Sequence, residues 1–115
     1  MQYSSDIRDA QNNAIESTVG ASPILRVYNG TPPANVAAAL SGNTLLAQGT
    51  LPSDWMAASS GGVVAKNGAW SLTGQSGAGA GTAGTFFRIF ESTGTTAKIQ
   101  GTFGAGQEMV PDNNS

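Results

Sequence analysis

The chain contains neither cysteine nor histidine. Without cysteine there is no disulfide, no thiolate nucleophile and no metal site built from thiolates. Without histidine a Ser-His-Asp arrangement is impossible, and zinc in its usual nitrogen and sulfur shell is nearly excluded. The few carboxylates are not flanked by the apolar residues that tune a general acid. We therefore expect a protein that is not an enzyme and that uses no cofactor.

Ionised side chains are also scarce, at 10% of the 115 residues against about 25% in typical domains. The net charge is −2 and the basic residues are scattered, whereas phosphate binding needs clustered cations. Apolar runs are too short to span a membrane, and no signal-peptide pattern opens the chain. We expect no nucleic-acid or membrane partner and no cleaved secretion signal. A weakly charged surface opposes association poorly, which favours a chain that lives inside an assembly.

Residues 1–19 have the pattern of a short amphipathic helix. A serine or aspartate at 4–6 can cap its start, and Gly20 can end it. The apolar positions fall on one narrow stripe, which consists of Tyr3, Ile7, Ala10 and Ala14. The opposite side is polar and carries Arg8, Asn12, Asn13 and Glu16. Because so short a helix is marginal alone in water, we expect it to dock on its own sheet or on a neighbouring subunit.

From Pro23 onward the apolar period changes to two, with turn residues at regular intervals. Short strands are expected at 24–28, 44–51, 62–66, 69–73, 85–91, 95–103 and 107–110. The bulkiest, at 85–91, has large side chains on both faces, which indicates a central or covered strand. Six to seven short strands after one helix predict an all-β chain, an antiparallel β-sandwich or small barrel. The expected units are a docking helix at 1–19 and a β-sandwich domain at 20–115.

The alternation also assigns side chains to faces. One face of the second strand is expected to carry Leu45, Ala47 and Leu51. One face of the strand at 95–103 is expected to carry Ala97, Ile99 and Phe103. A G-x-G-x-x-G sequence at 79–84 leads into a strand, where a dinucleotide fold needs a helix, so a loop is expected there.

Two loops supply the other interface candidates. The loop at 29–35 carries Pro32 and Pro33, and the loop at 52–60 carries Trp55 and Met56. Tryptophan is enriched at binding hot spots, so Trp55 is either an interface anchor or a lid over one open end of the sandwich. A sugar-stacking surface is a further alternative, built from Trp55, Trp70 and Tyr28.

Four segments in a fixed order resemble small virion proteins of tailed bacteriophages. They are a short helix at 5–16, ILRVYNGTPPAN at 24–35, GNTLLA at 42–47 and GTFFRIFESTGT at 84–95. The resemblance implies a virion, minor capsid or tail protein and carries over no catalytic residue. Similar proteins continue past the turn at 112–114 into a further strand. Its absence here, unless the sequence is truncated or a neighbour supplies the strand, would leave an edge open to strand addition.

The expected function is that of a capsid decoration or minor capsid protein that stabilises the shell through subunit contacts. Its partners would be the major capsid protein or other virion subunits, and it would form a homo-oligomer, with a trimer favoured. It would assemble in the host cytoplasm and reside in the virion. The alternatives are a tail or head-tail connector component and a carbohydrate-binding module for host attachment.

Overall fold

The computed structural model describes residues 2–61, 66–75 and 84–103. These residues form one helix and one antiparallel sheet of five strands. In chain order the elements are α1 (Ser5–Val19), β1 (Ile24–Tyr28), β2 (Leu45–Thr50), β3 (Thr73–Gly74), β4 (Phe86–Phe90) and β5 (Ala97–Thr102). The expectation of a mostly β chain with an N-terminal helix is therefore confirmed.

The helix begins and ends where its capping residues predict. Ser4 is the N-cap, and its side chain accepts a hydrogen bond from the Ile7 amide at 3.4 Å. Gly20 follows the last turn with φ of 94° and donates its N–H to the Glu16 carbonyl oxygen at 2.9 Å. This left-handed conformation costs glycine little, because glycine has no Cβ.

The sheet has the strand order β3-β2-β1-β4-β5, with β1 at its centre. Strands β1 and β4 pair along their whole length, from Ile24 opposite Phe90 to Tyr28 opposite Phe86. All five residues of β4 are buried. The expectation that this strand is central or covered is confirmed, since it lies between β1 and β5.

Alternation along β1 and β4 builds a separate apolar cluster on each face of the sheet. The larger cluster combines strand residues with others from α1 and the loops: Val19, Leu25, Val27, Leu51, Trp55, Phe87 and Ile89. The smaller cluster on the other face contains Tyr28, Phe86 and Phe90, with the Tyr28 and Phe86 rings stacked at 5.3 Å. Both strands therefore follow the period of two that the sequence shows from Pro23 onward.

Two register shifts make the face assignments in β2 and β5 wrong. Between Val27 and Tyr28 the partner in β2 moves from Ala47 to Leu45, so Leu45 packs in the smaller cluster. Leu51 remains in the larger one. In β5, Ala97 likewise packs against the smaller cluster, while Ile99 and Phe103 pack against the larger. An extra residue at a bulge inverts the side-chain alternation beyond it.

The sheet formed by the described residues is open, so a sandwich or barrel is not confirmed. Of the strand expected at 69–73, only Thr73 lies in a strand, the two-residue β3 (Thr73–Gly74). Strands expected at 62–66 and 107–110 lie largely or wholly outside the described residues, as does most of the glycine-rich loop at 79–84. Irregular segments cover the larger cluster instead. Segment 71–72 approaches β2 so closely that a Cβ on Gly49 would collide with the Ser71 carbonyl oxygen.

Candidate interaction surface

Helix α1 is fixed to the rest of the chain by its polar side. The Glu16 carboxylate accepts the Met56 amide hydrogen at 2.9 Å. Ser59 donates its amide to the Asn13 side-chain oxygen at 3.0 Å and its hydroxyl to the Asp9 carboxylate at 2.7 Å. The Asn12 side-chain amide donates to the same hydroxyl oxygen at 3.1 Å. Hydrogen bonds to carboxylates are among the stronger ones, so these contacts set the orientation of the helix.

This orientation reverses the expected use of the two helix faces. Asn12, Asn13 and Glu16 point toward the loop at 52–60, although the sequence places them opposite the docking stripe. Val19 is the only buried residue of α1. The apolar stripe therefore does not dock on the chain's own sheet, which was one of the two expected outcomes. The physical reason is that the loop offers N–H and hydroxyl donors at the helix, and carboxylates satisfy such groups whereas alanines cannot.

The stripe points outward instead. Tyr3 is 51% exposed and Ile7 is 47% exposed, and Ala10 and Ala14 are exposed as well. We call these four residues the outer stripe. Ile15, which the sequence reasoning missed, is also exposed beside them. The sequence could have indicated this, because Ile15 lies eight residues after Ile7, which is about two helical turns.

Trp55 is buried, not exposed. Its side chain is 1% exposed, and its indole N–H donates to the Gly20 carbonyl oxygen at 3.0 Å. The Trp70 indole N–H in turn donates to the Trp55 carbonyl oxygen at 3.1 Å, with the two rings tilted at 5.8 Å. The structure thus gives Trp55 a covering role over the larger cluster. An interface anchor and a sugar-stacking platform both need an exposed ring, so its burial counts against both.

The other predicted contact residues differ in exposure. Met56 is half-buried against the larger cluster, and its amide is bound by Glu16. Pro32 is exposed and Pro33 is half-buried. The Pro33 carbonyl oxygen accepts a hydrogen bond from the Gln100 side chain at 3.0 Å. Of the two loops, the loop at 29–35 therefore presents more free surface than the loop at 52–60.

A buried arginine holds the loop at 29–38 on the sheet. Arg88 is 4% exposed, and its Nη2 donates to the carbonyl oxygens of Ala38 at 2.7 Å and Asn35 at 3.3 Å. Its Nε donates to the Gln100 side chain at 2.8 Å. Directly opposite in β1, Arg26 donates its Nε to Gln48 at 2.9 Å and lies over the Phe90 ring. Both arginine side chains therefore bind groups of their own chain and stabilise the fold.

A tight turn follows β4. The Glu91 side chain accepts the amides of Thr95 at 2.8 Å and Thr96 at 2.9 Å. The Thr96 backbone hydrogen bond is the main reason that the pKa of Glu91 is lowered to about 2, helped by the Thr93 side chain and the Thr95 backbone. Hydrogen bonds to the ionised form favour that form. This carboxylate is therefore a structural acceptor within the turn.

An apolar groove runs between α1 and β5. Its volume is about 390 Å³. Its walls include Ala14, Ile15, Thr18 and Val19 from the helix and Lys98 and Ile99 from the strand. The outer stripe reaches this groove at Ala14, so helix and groove form one continuous surface. The sequence reasoning did not find the groove, because it joins residues about eighty positions apart.

Residues 2–61, 66–75 and 84–103 contain no cluster of three or more acidic residues that could hold a metal ion. No helix within this part of the chain has the length and apolar character that a membrane crossing requires.

Comparison with known proteins identifies no relative. No protein-family model matches the chain, and neither the curated proteins nor the solved structures give a significant match.

Proposed function

We propose that this chain is a structural subunit of a tailed-bacteriophage particle, and that it acts as a capsid decoration or minor capsid protein. One observation supports the proposal most strongly. Helix α1 is fixed by its polar side and directs an apolar stripe away from the chain. A helix that only completed its own fold would bury that stripe. An outward stripe suits contact with another subunit.

The energetics of the stripe favour such contact. Burying a large apolar side chain fully contributes about 1.5–3 kcal/mol, and Tyr3, Ile7 and Ile15 each keep nearly half or more of their surface exposed. Their burial would release on the order of 2–4 kcal/mol. Many weak contacts of this size, repeated over a shell, are enough to stabilise it. The proposed partners are the major capsid protein or other virion subunits, with the chain present as an oligomer, a trimer being favoured.

The finer architecture is part of the same proposal. The sandwich or small barrel would require a further layer of strands over the open sheet. The strands expected at 62–66 and 107–110 are its candidate members.

The experiment compares two lysine substitutions on exposed apolar residues. Ile7→Lys changes the outer stripe, whereas Leu40→Lys changes a leucine that is 36% exposed and lies outside it. Phage carrying each variant would be purified, and the protein in the particles would be quantified by mass spectrometry. We expect Ile7→Lys to lower incorporation about tenfold, equivalent to about 1.4 kcal/mol, and Leu40→Lys to leave it unchanged. Circular dichroism would verify that both variants fold.

Absence of the parent protein from purified particles would refute the proposal. Equal incorporation of both variants would show that the outer stripe is not the contact surface. A tail or head-tail connector component is the remaining structural alternative. A density map of the particle distinguishes it from a capsid location.

A further inference from the structure

The groove between α1 and β5 has a distinctive chemistry. Its helix wall is formed by Gln11, Ala14, Ile15, Thr18 and Val19, and its strand wall by Lys98 and Ile99. The carboxylates nearest to it in sequence, Asp9 and Glu16, are turned to the opposite side of α1, where Ser59 and Met56 bind them. The groove is thus apolar with one cation at its rim.

The side chain of Lys98 is exposed and makes no hydrogen bond or ion pair with any residue that the structure describes. A matching occupant would carry large apolar side chains next to a carboxylate. The chain itself has such a segment. Tyr3 and Ile7 are exposed, and Asp6 between them is exposed and has no side-chain hydrogen bond or ion pair with a described residue.

This segment cannot reach the groove of its own chain. The helix separates the turn at 3–7 from the groove at 14–18 by about 15 Å, since each helical residue advances about 1.5 Å. The occupant must therefore come from a second copy.

We propose that the N-terminal turn of one copy binds in the groove between α1 and β5 of the next copy. Tyr3 and Ile7 enter the apolar part, and Asp6 meets Lys98 at the rim. A groove of about 390 Å³ accepts one or two large side chains, not a whole helix. The contact joins two different patches, so it is head-to-tail, and such contacts form a ring when the rotation between copies closes and an open filament when it does not. The inference rests on the proposed oligomer of copies and not on its place in the particle.

A charge exchange tests the contact on the full-length chain. The dissociation constant for self-association would be measured by sedimentation equilibrium for Asp6→Lys, Lys98→Glu and the variant with both changes. Each single change places like charges together, and we expect it to raise the dissociation constant about three- to tenfold. The double variant restores opposite charges between copies, so we expect it to recover most of the parent affinity. Lys66→Glu, an equal charge change at another exposed lysine, is the matched control and should have no effect.

Added salt should reduce the differences in dissociation constant between the parent and the single variants, because exposed charges are screened. Purely additive effects in the double variant would overturn the proposed pairing. A parent chain that stays monomeric at high concentration, yet loses particle incorporation with Ile7→Lys, would show that the outer stripe contacts another virion subunit. That result would overturn this inference and leave the proposed function standing. If self-association follows the charge exchange but the protein is missing from particles, this inference would stand and the proposed function would be overturned.

Discussion

The two arginines that face each other across β1 and β4 give the sharpest stability prediction. They occupy opposite positions in the register, and each donates its Nε to a glutamine in the next strand. They differ in burial. Arg88 is 4% exposed and also binds two loop carbonyl oxygens, whereas Arg26 is half-buried and, besides its glutamine, binds one carbonyl oxygen, that of Gly94 at 3.3 Å. Replacing each by methionine removes the donors and keeps most of the apolar stem.

The magnitude follows from what each change leaves unpaired. In Arg88→Met the Ala38 and Asn35 carbonyl oxygens and the Gln100 side chain lose a donor that is itself buried, at a part-buried site. Each unsatisfied buried polar group costs about 1–3 kcal/mol. The total cost is smaller than the sum of these values, because the loop can detach and its carbonyl oxygens can then bind water. We expect Arg88→Met to lower the free energy of unfolding by about 2–4 kcal/mol. In Arg26→Met water can replace the lost donor, so we expect the free energy of unfolding to fall by only about 1 kcal/mol. Repulsion between directly opposed arginines is relieved equally in both variants.

Urea unfolding followed by the fluorescence of Trp55 and Trp70 measures both values, because Trp55 is buried in the folded chain. Equal slopes with urea concentration are needed for a valid comparison. If Arg88→Met proves no more harmful than Arg26→Met, then the desolvation of the buried cation offsets its hydrogen bonds. The argument that Arg88 holds the loop would then be refuted.

Two further predictions concern a close approach and a turn. Gly49→Ala should destabilise the chain by about 1–3 kcal/mol, since its methyl group would meet the Ser71 backbone. Gly74→Ala, where a Cβ meets nothing within 4 Å, should change the thermal midpoint little, and equal midpoints would contradict the close approach. Folding lowers the pKa of Glu91 from 4.5 to about 2. Its ionised form therefore stabilises the fold above the ordinary value, and this contribution is lost as the pH falls from 4.5 toward 2. The stability gap between the parent and Glu91→Gln should narrow over that range, and a constant gap would show that Glu91 is not the titrating group.

Local patterns predicted much of the fold. Helix α1 could be placed because its caps are short-range hydrogen bonds that the sequence shows directly. Strands β1 and β4 could be placed because their alternation is uninterrupted. The face assignments of Leu45 and Ala97 failed because each lies beyond a register shift. The position of a bulge depends on the pairing with the partner strand, so the period-two pattern of a single strand does not predict it.

The surface was harder to predict than the fold. The apolar side of α1 was identified correctly, but the surface on which the helix packs was not. The rule that apolar residues turn inward assumes that the surface beneath the helix is apolar. Here the surface beneath the helix is a polar loop, whose donors at Met56 and Ser59 bind side chains of the helix. Trp55 was uncertain for a similar reason. Its burial depends on the Gly20 carbonyl oxygen, a partner that becomes visible only once the helix has been placed.

A helix that is attached through hydrogen bonds separates two kinds of constraint on its sequence. Substitutions at Asp9, Asn13 or Glu16 affect attachment, whereas substitutions along the outer stripe leave the attachment intact. Little apolar surface is sealed beneath the helix, so it should open as its own unit, with faster amide hydrogen exchange than β4. The stripe is accordingly free to diverge in evolution, and a new partner can be acquired while the sheet beneath stays the same.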